Sequence, residues 1–208
     1  TEHPVTPADY NFALLAPLSD SPRREGDSVE IEQFNALLAS CVGGVVNVGM
    51  LAGAFVIPPL ADRVDPIDQI AAVELNVSCP NVEKGGIEFG RDPDLLEQLV
   101  SLVRGRTSKP LIVKLSPNVT SPVEVGEAAR RGGADILSCI NTILGMAIDP
   151  STRRPLLHTV KGGLSGPAIK PIALLRVFQV AQVAQPHGIP IIGQGGISSA
   201  EDALEFLA

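Results

Sequence analysis

The sequence predicts an α/β protein in which parallel strands alternate with helices. Four short apolar runs lie beyond residue 70, and each ends in polar or glycine-rich residues: AVELNVSC, PLIVKLSP, DILSCIN and IPIIGQGG. Their apolar residues are consecutive rather than alternating, which is typical of strands buried on both faces of a parallel sheet. Segments with the periodicity of amphipathic helices lie between these runs. This alternation favours βα units.

Capping signals mark where the predicted helices begin. A serine, threonine or aspartate at the cap accepts hydrogen bonds from free backbone amides, and proline fits the first helical turn. An acidic residue three positions after the cap completes a capping box. The predicted start signals are Asp92-Pro93, Ser121-Pro122 with Glu124, Lys170-Pro171, and Ser198 with Glu201.

The first 70 residues are less regular than the rest of the chain. Residues 1–28 are rich in Pro, Asp, Ser and Arg and are predicted to be a loose lead-in. Residues 30–40 favour a short helix, and the Val/Gly-rich run that follows is compatible with a strand. The expected division is an atypical N-terminal segment, 1–70, followed by an α/β portion, 71–208.

Composition and charge narrow the class of protein. The net charge is −7 and aromatic residues make up 3% of the chain, which argues against nucleic-acid binding. The longest weakly polar run, residues 36–60, contains Asn47 and two prolines and lacks a basic flank, so we interpret it as core and not as a membrane span. The cysteines Cys41, Cys79 and Cys139 show no CxxC spacing, which favours a reduced, cytoplasmic protein without a metal site.

Polar residues and glycines cluster at the carboxyl ends of the predicted strands, where parallel α/β sheets bind their ligands. Taken singly, each of these residues has an ordinary structural explanation: an asparagine at a strand end is usually a turn residue, Cys79 alone is more often a core thiol, and a glycine pair can form a tight turn. Such an explanation fits Lys114 less well, because a lysine inside a buried strand needs an anionic or acceptor partner. The clustered residues are Asn76, Ser78, Cys79, Asn81, Lys114, Asn141, Thr142, Gly193, Gly195 and Gly196.

Two glycine-rich loops precede predicted helices. They are KGGLSGPAIKP at 161–171 and GQGGISSAED at 193–202. Bare glycine amides followed by a helix N-terminus form a cradle for phosphate. Together with Lys114 and the asparagine-rich strand ends, the loops predict a phosphorylated cofactor at the mouth of a barrel.

Five separated motifs resemble class 1 dihydroorotate dehydrogenases, and the B type in particular. They occur in the same order as in that family: ELNVSCPNVEKGGIEFGRDP, IVKLSPNVT, INT, GGLSGPAIKP and PIIGQGGI. The resemblance implies a TIM barrel, the (β/α)8 fold, that binds FMN and oxidises dihydroorotate to orotate in de novo pyrimidine (UMP) synthesis. It also implies an oligomer and a separate FAD and iron–sulfur subunit that passes electrons to NAD.

The resemblance assigns roles to individual residues. Cys79 would be the base that removes a proton from substrate C5 while a hydride passes to flavin N5, and the ordinary thiol pKa of about 8.5 suits that task. The substrate-binding residues would be Asn76, Asn81, Asn141 and Thr142. The cofactor-binding residues would be Asn76, Lys114, Ile140, Gly166, Gly195 and Gly196, with Lys114 at the N1/O2 edge of the flavin.

Some features of the family pattern are not found in this sequence. The first 70 residues lack the second flavin-binding lysine and the asparagine-rich substrate loop, and no final strand with a Gly-Thr pair follows residue 196. Because eight βα units take about 250 residues, the expectation is an incomplete barrel with about four clear units. Two alternatives remain open: a dihydropyrimidine dehydrogenase-like flavoprotein, which shares the Asn-x-Ser-Cys-Pro signature, and a non-catalytic truncated remnant that binds a partner subunit. The segment VEKGGIEFG favours the B type over the first alternative.

Overall fold

The computed structural model describes residues 44–49, 57–68, 70–77 and 89–208. Their elements in chain order are β1 (Gly44–Gly49), α1 (Ile57–Val64), β2 (Ile70–Asn76), α2 (Pro93–Arg104), β3 (Leu111–Lys114), α3 (Pro122–Arg131), β4 (Ile136–Cys139), β5 (Ile143–Gly145), β6 (Ile148–Asp149), β7 (Arg154–Pro155), β8 (Gly162–Leu164), α4 (Lys170–Ala184), β9 (Ile191–Gly193) and α5 (Ala200–Leu207). Short 3-10 turns at Phe89–Arg91, Pro167–Ile169 and Gln185–His187 complete the set.

In this part of the chain, one sheet holds five parallel strands in the order β1-β2-β3-β4-β9. Each of these strands is followed along the chain by a helix, so the predicted α/β class is confirmed. The four apolar runs each contain one strand. The fifth unit, β1 with α1, precedes residue 71. Sequential parallel strands joined by helices are the arrangement of a barrel of the (β/α)8 type, of which five units are described here.

The helices cover one face of the sheet. Leu75, Val113 and Leu137, which are paired across β2, β3 and β4, are fully buried and belong to the same hydrophobic cluster as the inner faces of the helices. Helix α2 contributes Leu96, Leu99, Val100 and Val103 to that cluster. Because successive residues of a strand project to opposite faces, the alternate residues of these strands face the other side of the sheet. That second face carries the polar residues considered below.

Helices α2 and α3 begin with the predicted side-chain caps, and α4 begins at Lys170-Pro171 as predicted but without a side-chain cap. Asp92 accepts hydrogen bonds from the first-turn amides of α2, and Ser121 accepts one from the Glu124 amide at 3.3 Å. The prediction of Ser198 with Glu201 at α5 is wrong, because the cap is Ser199 and its capping-box partner is Asp202. The carboxylate of Asp202 also pairs with a lysine of another helix, which holds it in that position.

The segment between β4 and α4 contains structure that the sequence did not predict. Strand β5 pairs antiparallel with β8, and β6 pairs antiparallel with β7. These two ribbons lie beyond the carboxyl end of β4. Within the described part of the chain, their exposed apolar side chains are Leu144, Met146, Ile148, Leu156, Leu157, Val160 and Leu164.

Several predictions fall on residues outside the described ranges. They include the short helix at 30–40, the catalytic role of Cys79 and the substrate contact of Asn81. Among the described residues, none of the helices has the length and apolarity needed to cross a bilayer. No group of three or more His, Cys, Asp or Glu side chains in those residues could hold a metal ion.

Candidate active site at the carboxyl ends of the strands

The strand register aligns three polar side chains in one row. Asn76 of β2 is paired with Lys114 of β3, and Lys114 is paired with Ser138 of β4. Paired residues of a parallel sheet project to the same face, and all three alternate with core-facing neighbours. The row therefore lies on the face of the sheet opposite the helices. It sits at the carboxyl end of the strands, where the sequence predicted a site.

Lys114 has the anionic partner that its buried position requires. Its ammonium nitrogen lies 3.6 Å from Oε1 of Glu74, and the two side chains are 12% and 11% exposed. Glu74 precedes Asn76 by two residues on β2, so both project to the same face. Sequence reasoning missed Glu74, although a carboxylate inside a run of apolar strand residues is the same kind of signal as Lys114 itself.

A network of carboxamides adjoins this row. Nδ2 of Asn141 donates to Oδ1 of Asn76 at 2.9 Å, although the two residues are 65 positions apart in the chain. The backbone amide of Thr142 donates to Oδ1 of Asn141 at 2.8 Å. The backbone amide of Asn141 donates to the Leu115 carbonyl at 3.1 Å, which ties the segment to the end of β3. The structure thus brings together the predicted substrate-binding residues Asn76, Asn141 and Thr142.

Gln194 joins the carboxyl end of β9 to that of β4. Its side-chain amide donates to the Ser138 hydroxyl, and its backbone carbonyl accepts from the Ile140 amide at 3.1 Å. Ser138 is fully buried and therefore needs such a partner. Sequence reasoning also missed Gln194, whose position between two glycines of the predicted phosphate loop was the available signal.

The predicted cofactor-binding glycines form a second cluster beside the first. Gly166, Gly195 and Gly196 have φ angles of +86°, +124° and +75°, a region that side-chain-bearing residues rarely adopt. A methyl group added at Gly195 would lie 3.5 Å from Cγ1 of Ile140, and one added at Gly196 would lie 2.9 Å from the Gly166 carbonyl oxygen. Ile140, Gly166, Gly195 and Gly196, to which the resemblance assigns cofactor binding, are therefore close together.

Free backbone amides are available at this glycine cluster. Within the described residues, the amides of Gly195, Gly196 and Ile197 donate no hydrogen bond. The amides of Ser198 and Ser199 donate instead to the Asp202 carboxylate, at 2.8 and 2.9 Å. An anion such as a phosphate would therefore be bound by the glycine-loop amides, and not by the two amides that the cap of α5 already uses.

An ion-pair cluster connects the starts of α4 and α5, which flank the glycine loop. The ammonium of Lys170 donates to the carboxylates of Asp202 and Glu205. The hydrogen bond from Lys170, followed by those from Ser198, holds the pKa of Asp202 well below its ordinary value of 3.8. The same hydrogen bond, which the Asp202 carboxylate accepts, raises the pKa of Lys170 above its ordinary value. Both shifts indicate that the ionised pair stabilises the fold.

We expect this pair to make stability depend on pH under acidic conditions. Since the pKa of Asp202 is lowered by folding, its contribution is fully present above about pH 4. That contribution is lost as the pH falls further. The Asp202→Asn variant should therefore show a smaller fall in urea midpoint between pH 7 and pH 3 than the wild type.

Glu201→Gln is the matched control for this experiment, because it removes an exposed carboxylate one residue away from Asp202. It should retain the wild-type dependence on pH. If Asp202→Asn and the wild type lost stability in parallel as the pH fell, the ion pair would not contribute as described.

Comparison with known proteins identifies the family. A family model described as dihydroorotate dehydrogenase matches residues 60–208. The chain belongs to the dihydroorotate dehydrogenase family. The TIM-barrel fold predicted from the motifs fits this family and the sequential parallel sheet.

The relatives are B-type catalytic subunits of dihydroorotate dehydrogenase. A protein named "Dihydroorotate dehydrogenase B (NAD(+)), catalytic subunit" from Geotalea uraniireducens is 57% identical over 148 residues, which cover 71% of this chain and 48% of the relative. The protein of that name from Trichlorobacter lovleyi is 54% identical over 167 residues, covering 78% of this chain and 54% of the relative. The predicted resemblance to the B type is therefore confirmed. The chain spans about half the length of the curated relatives it matches.

Cys139, the cysteine that lies within the described residues, is unsuited to acid–base chemistry in this member of the dihydroorotate dehydrogenase family. Cys139 lies at the end of β4 with 0% of its surface exposed, and burial raises the pKa of its thiol to about 12. A thiol with that pKa stays protonated at neutral pH. Its side chain also projects to the helix-covered face, opposite to Ser138. Cys139 is therefore a core thiol.

Proposed function

We propose that this protein oxidises dihydroorotate to orotate in de novo pyrimidine biosynthesis, with FMN as its cofactor. The observation that carries the proposal is the convergence of Asn76, Lys114 and Asn141 beside the glycine loop at 195–196. A row of carboxamides and an ammonium next to a phosphate cradle suits a flavin and a pyrimidine bound side by side. Membership of the family and the names of the relatives support the same function.

The substrate would be bound by carboxamides and a hydroxyl. A carboxamide offers donors and acceptors together, which matches the alternating N–H and C=O groups of a dihydropyrimidine ring. The mutual hydrogen bond of Asn76 and Asn141 holds both carboxamides in one orientation before substrate arrives. The proposed substrate-binding residues are Asn76, Asn81, Asn141 and Thr142.

The cofactor would lie between the glycine loop and Lys114. The free amides at Gly195 and Gly196 fit a phosphate group, and Ile140 and Gly166 would line the adjoining space. Lys114 would stabilise negative charge at the N1/O2 edge of the flavin, with Glu74 holding its ammonium in place. When bound, FMN supplies the acceptor for the hydride that leaves the substrate.

The chain's own chemical step would be removal of a proton. Cys79, as the thiolate, would take the proton from C5 of dihydroorotate and become a thiol. The hydride leaves C6, so two hydrogen nuclei and two electrons are removed in total and the C5–C6 double bond of orotate forms. The carboxamides of Asn76 and Asn141 would keep the ring oriented during this transfer.

We also propose that the protein works in the cytoplasm as an oligomer with an electron-transfer subunit carrying FAD and an iron–sulfur cluster. The words "catalytic subunit" in the relatives' names imply a further subunit for those proteins. The exposed apolar side chains of the two ribbons between β4 and α4 support an interface with another chain.

The direct test is anaerobic reduction of the bound flavin by two related substrates. Purified protein loaded with FMN should lose its flavin absorbance when mixed with dihydroorotate, and orotate should appear in equal amount. Dihydrouracil is the matched comparison because it has the same ring without the carboxylate. It should leave the flavin oxidised on the same timescale.

The other outcomes favour the alternatives. Flavin reduction by dihydrouracil but not by dihydroorotate would favour a dihydropyrimidine dehydrogenase-like enzyme. A folded protein that takes up no FMN would favour a non-catalytic role.

A further inference from the structure

Asn118 lies in the loop after β3 and contacts the segment that carries the proposed substrate-binding pair. Its Nδ2 donates to the carbonyl oxygen of Thr142 at 3.1 Å, and its Oδ1 accepts from the amide of Leu144 at 3.0 Å. One carboxamide therefore holds the main chain on both sides of residue 143. The backbone amide of Asn118 donates to the Ser116 hydroxyl at 3.2 Å, which anchors the loop to the end of β3.

Thr142 is consequently held from two directions. Its carbonyl accepts from Asn118, and its amide donates to the side chain of Asn141. On a third side, Gly163 of β8 leaves room for the Thr142 hydroxyl, since a methyl group at Gly163 would collide with that oxygen. The position of the Thr142 side chain relative to Asn141 is thus set by residues that are distant in sequence.

We propose that Asn118 is a positioning residue for substrate binding. It acts through the main chain of Thr142, and the inference rests on the proposed function of the Asn141–Thr142 pair. Asparagine suits the role because one side chain must donate to a carbonyl and accept from an amide at the same time. A displacement of about 1 Å in a binding group can cost about 100-fold in activity, so loss of this clamp should be measurable.

Asn118→Asp is the most informative variant. The aspartate keeps the shape of the side chain and the acceptor for Leu144, but it loses the donor and places an oxygen against the Thr142 carbonyl. In the FMN-loaded holoenzyme we expect the Kd for orotate, measured by calorimetry, to rise about 10- to 100-fold. FMN should stay bound, because the glycine loop is untouched. Asn118→Ala, which loses both bonds, should behave similarly, while Thr120→Ala, at an exposed position in the same loop, should bind orotate as the wild type does.

A double-mutant cycle separates positioning from a general structural role. Thr142→Val removes the hydroxyl while keeping the shape of the side chain. If Asn118 acts by placing Thr142, Asn118→Asp should weaken orotate binding much less in the Thr142→Val background than in the wild type. Additive effects, or unchanged orotate binding in both Asn118 variants, would overturn the inference and leave the proposed function intact. Failure of the wild-type holoenzyme to bind orotate would instead count against the proposed function.

Discussion

Replacing Cys79 with alanine is expected to slow reduction of the flavin by dihydroorotate by a factor on the order of 10²–10⁴, the usual scale for loss of a general base. FMN should remain bound, since the proposed cofactor contacts come from other residues. Cys79→Ser should also be slow near neutral pH, because a hydroxyl is far less acidic than a thiol. Its rate should recover in part as the pH rises. Stopped-flow measurement of flavin absorbance after anaerobic mixing gives all three rates.

Cys139→Ala is the matched control for this experiment. Cys139 is fully buried on the helix-covered face, and burial raises the pKa of its thiol to about 12. Its removal should lower the free energy of unfolding by about 1 kcal/mol through lost packing. The rate of flavin reduction should be unchanged. An undiminished rate in Cys79→Ala would remove Cys79 from the mechanism.

Replacing Gly196 with alanine is expected to weaken FMN binding by about 100-fold or more. At φ +75° the new methyl group would lie 2.8 Å from the Lys170 amide nitrogen and 2.9 Å from the Gly166 carbonyl oxygen. Both contacts are with main-chain atoms, so the glycine loop itself must move. Such a movement would misalign the amides proposed to bind phosphate. Titration of the apoprotein with FMN, followed by quenching of flavin fluorescence, measures the loss.

Gly188→Ala separates this effect from backbone strain alone. Gly188 also has a positive φ, +67°, but a methyl group there meets no atom within 4 Å. The positive φ alone should cost an alanine about 1 kcal/mol in stability at either position, and only Gly196→Ala adds contacts with main-chain atoms. FMN affinity should fall only in Gly196→Ala. Equal losses of affinity in the two variants would mean that the glycine loop is not the phosphate site.

The main strands were predictable because each is a run of consecutive apolar residues that ends in a turn signal. The ribbons between β4 and α4 were not, because strands of two or three residues, such as Arg154–Pro155, are too short to show a period. The start of α5 was misplaced by one residue because Ser198 and Ser199 both stand three positions before an acidic residue. The contact of Asp202 with Lys170, which is 32 residues away, favours the register that begins at Ser199, and a reading of the local sequence does not include it.

The candidate site was predictable where a residue type contradicts its surroundings, as Lys114 does within a buried strand. Glu74 gave the same signal but was missed, because its importance depends on the pairing of β2 with β3. Asn118 gave no such signal, because an asparagine in a loop is ordinary and its hydrogen bond to Thr142 joins residues that are 24 positions apart in the chain. Sequence motifs therefore predict the residues that form the site more readily than the residues that hold those in position.

A crystal structure of the holoenzyme with FMN and orotate would show whether cofactor and substrate bind at the carboxyl ends of the strands. We expect the FMN phosphate to lie within hydrogen-bonding distance of the amides of Gly195 and Gly196. We also expect the ammonium of Lys114 at the edge of the flavin ring and orotate against Asn141 and Thr142. A flavin bound with its phosphate away from the glycine loop, or on the helix-covered face of the sheet, would mean that the proposed site is wrong.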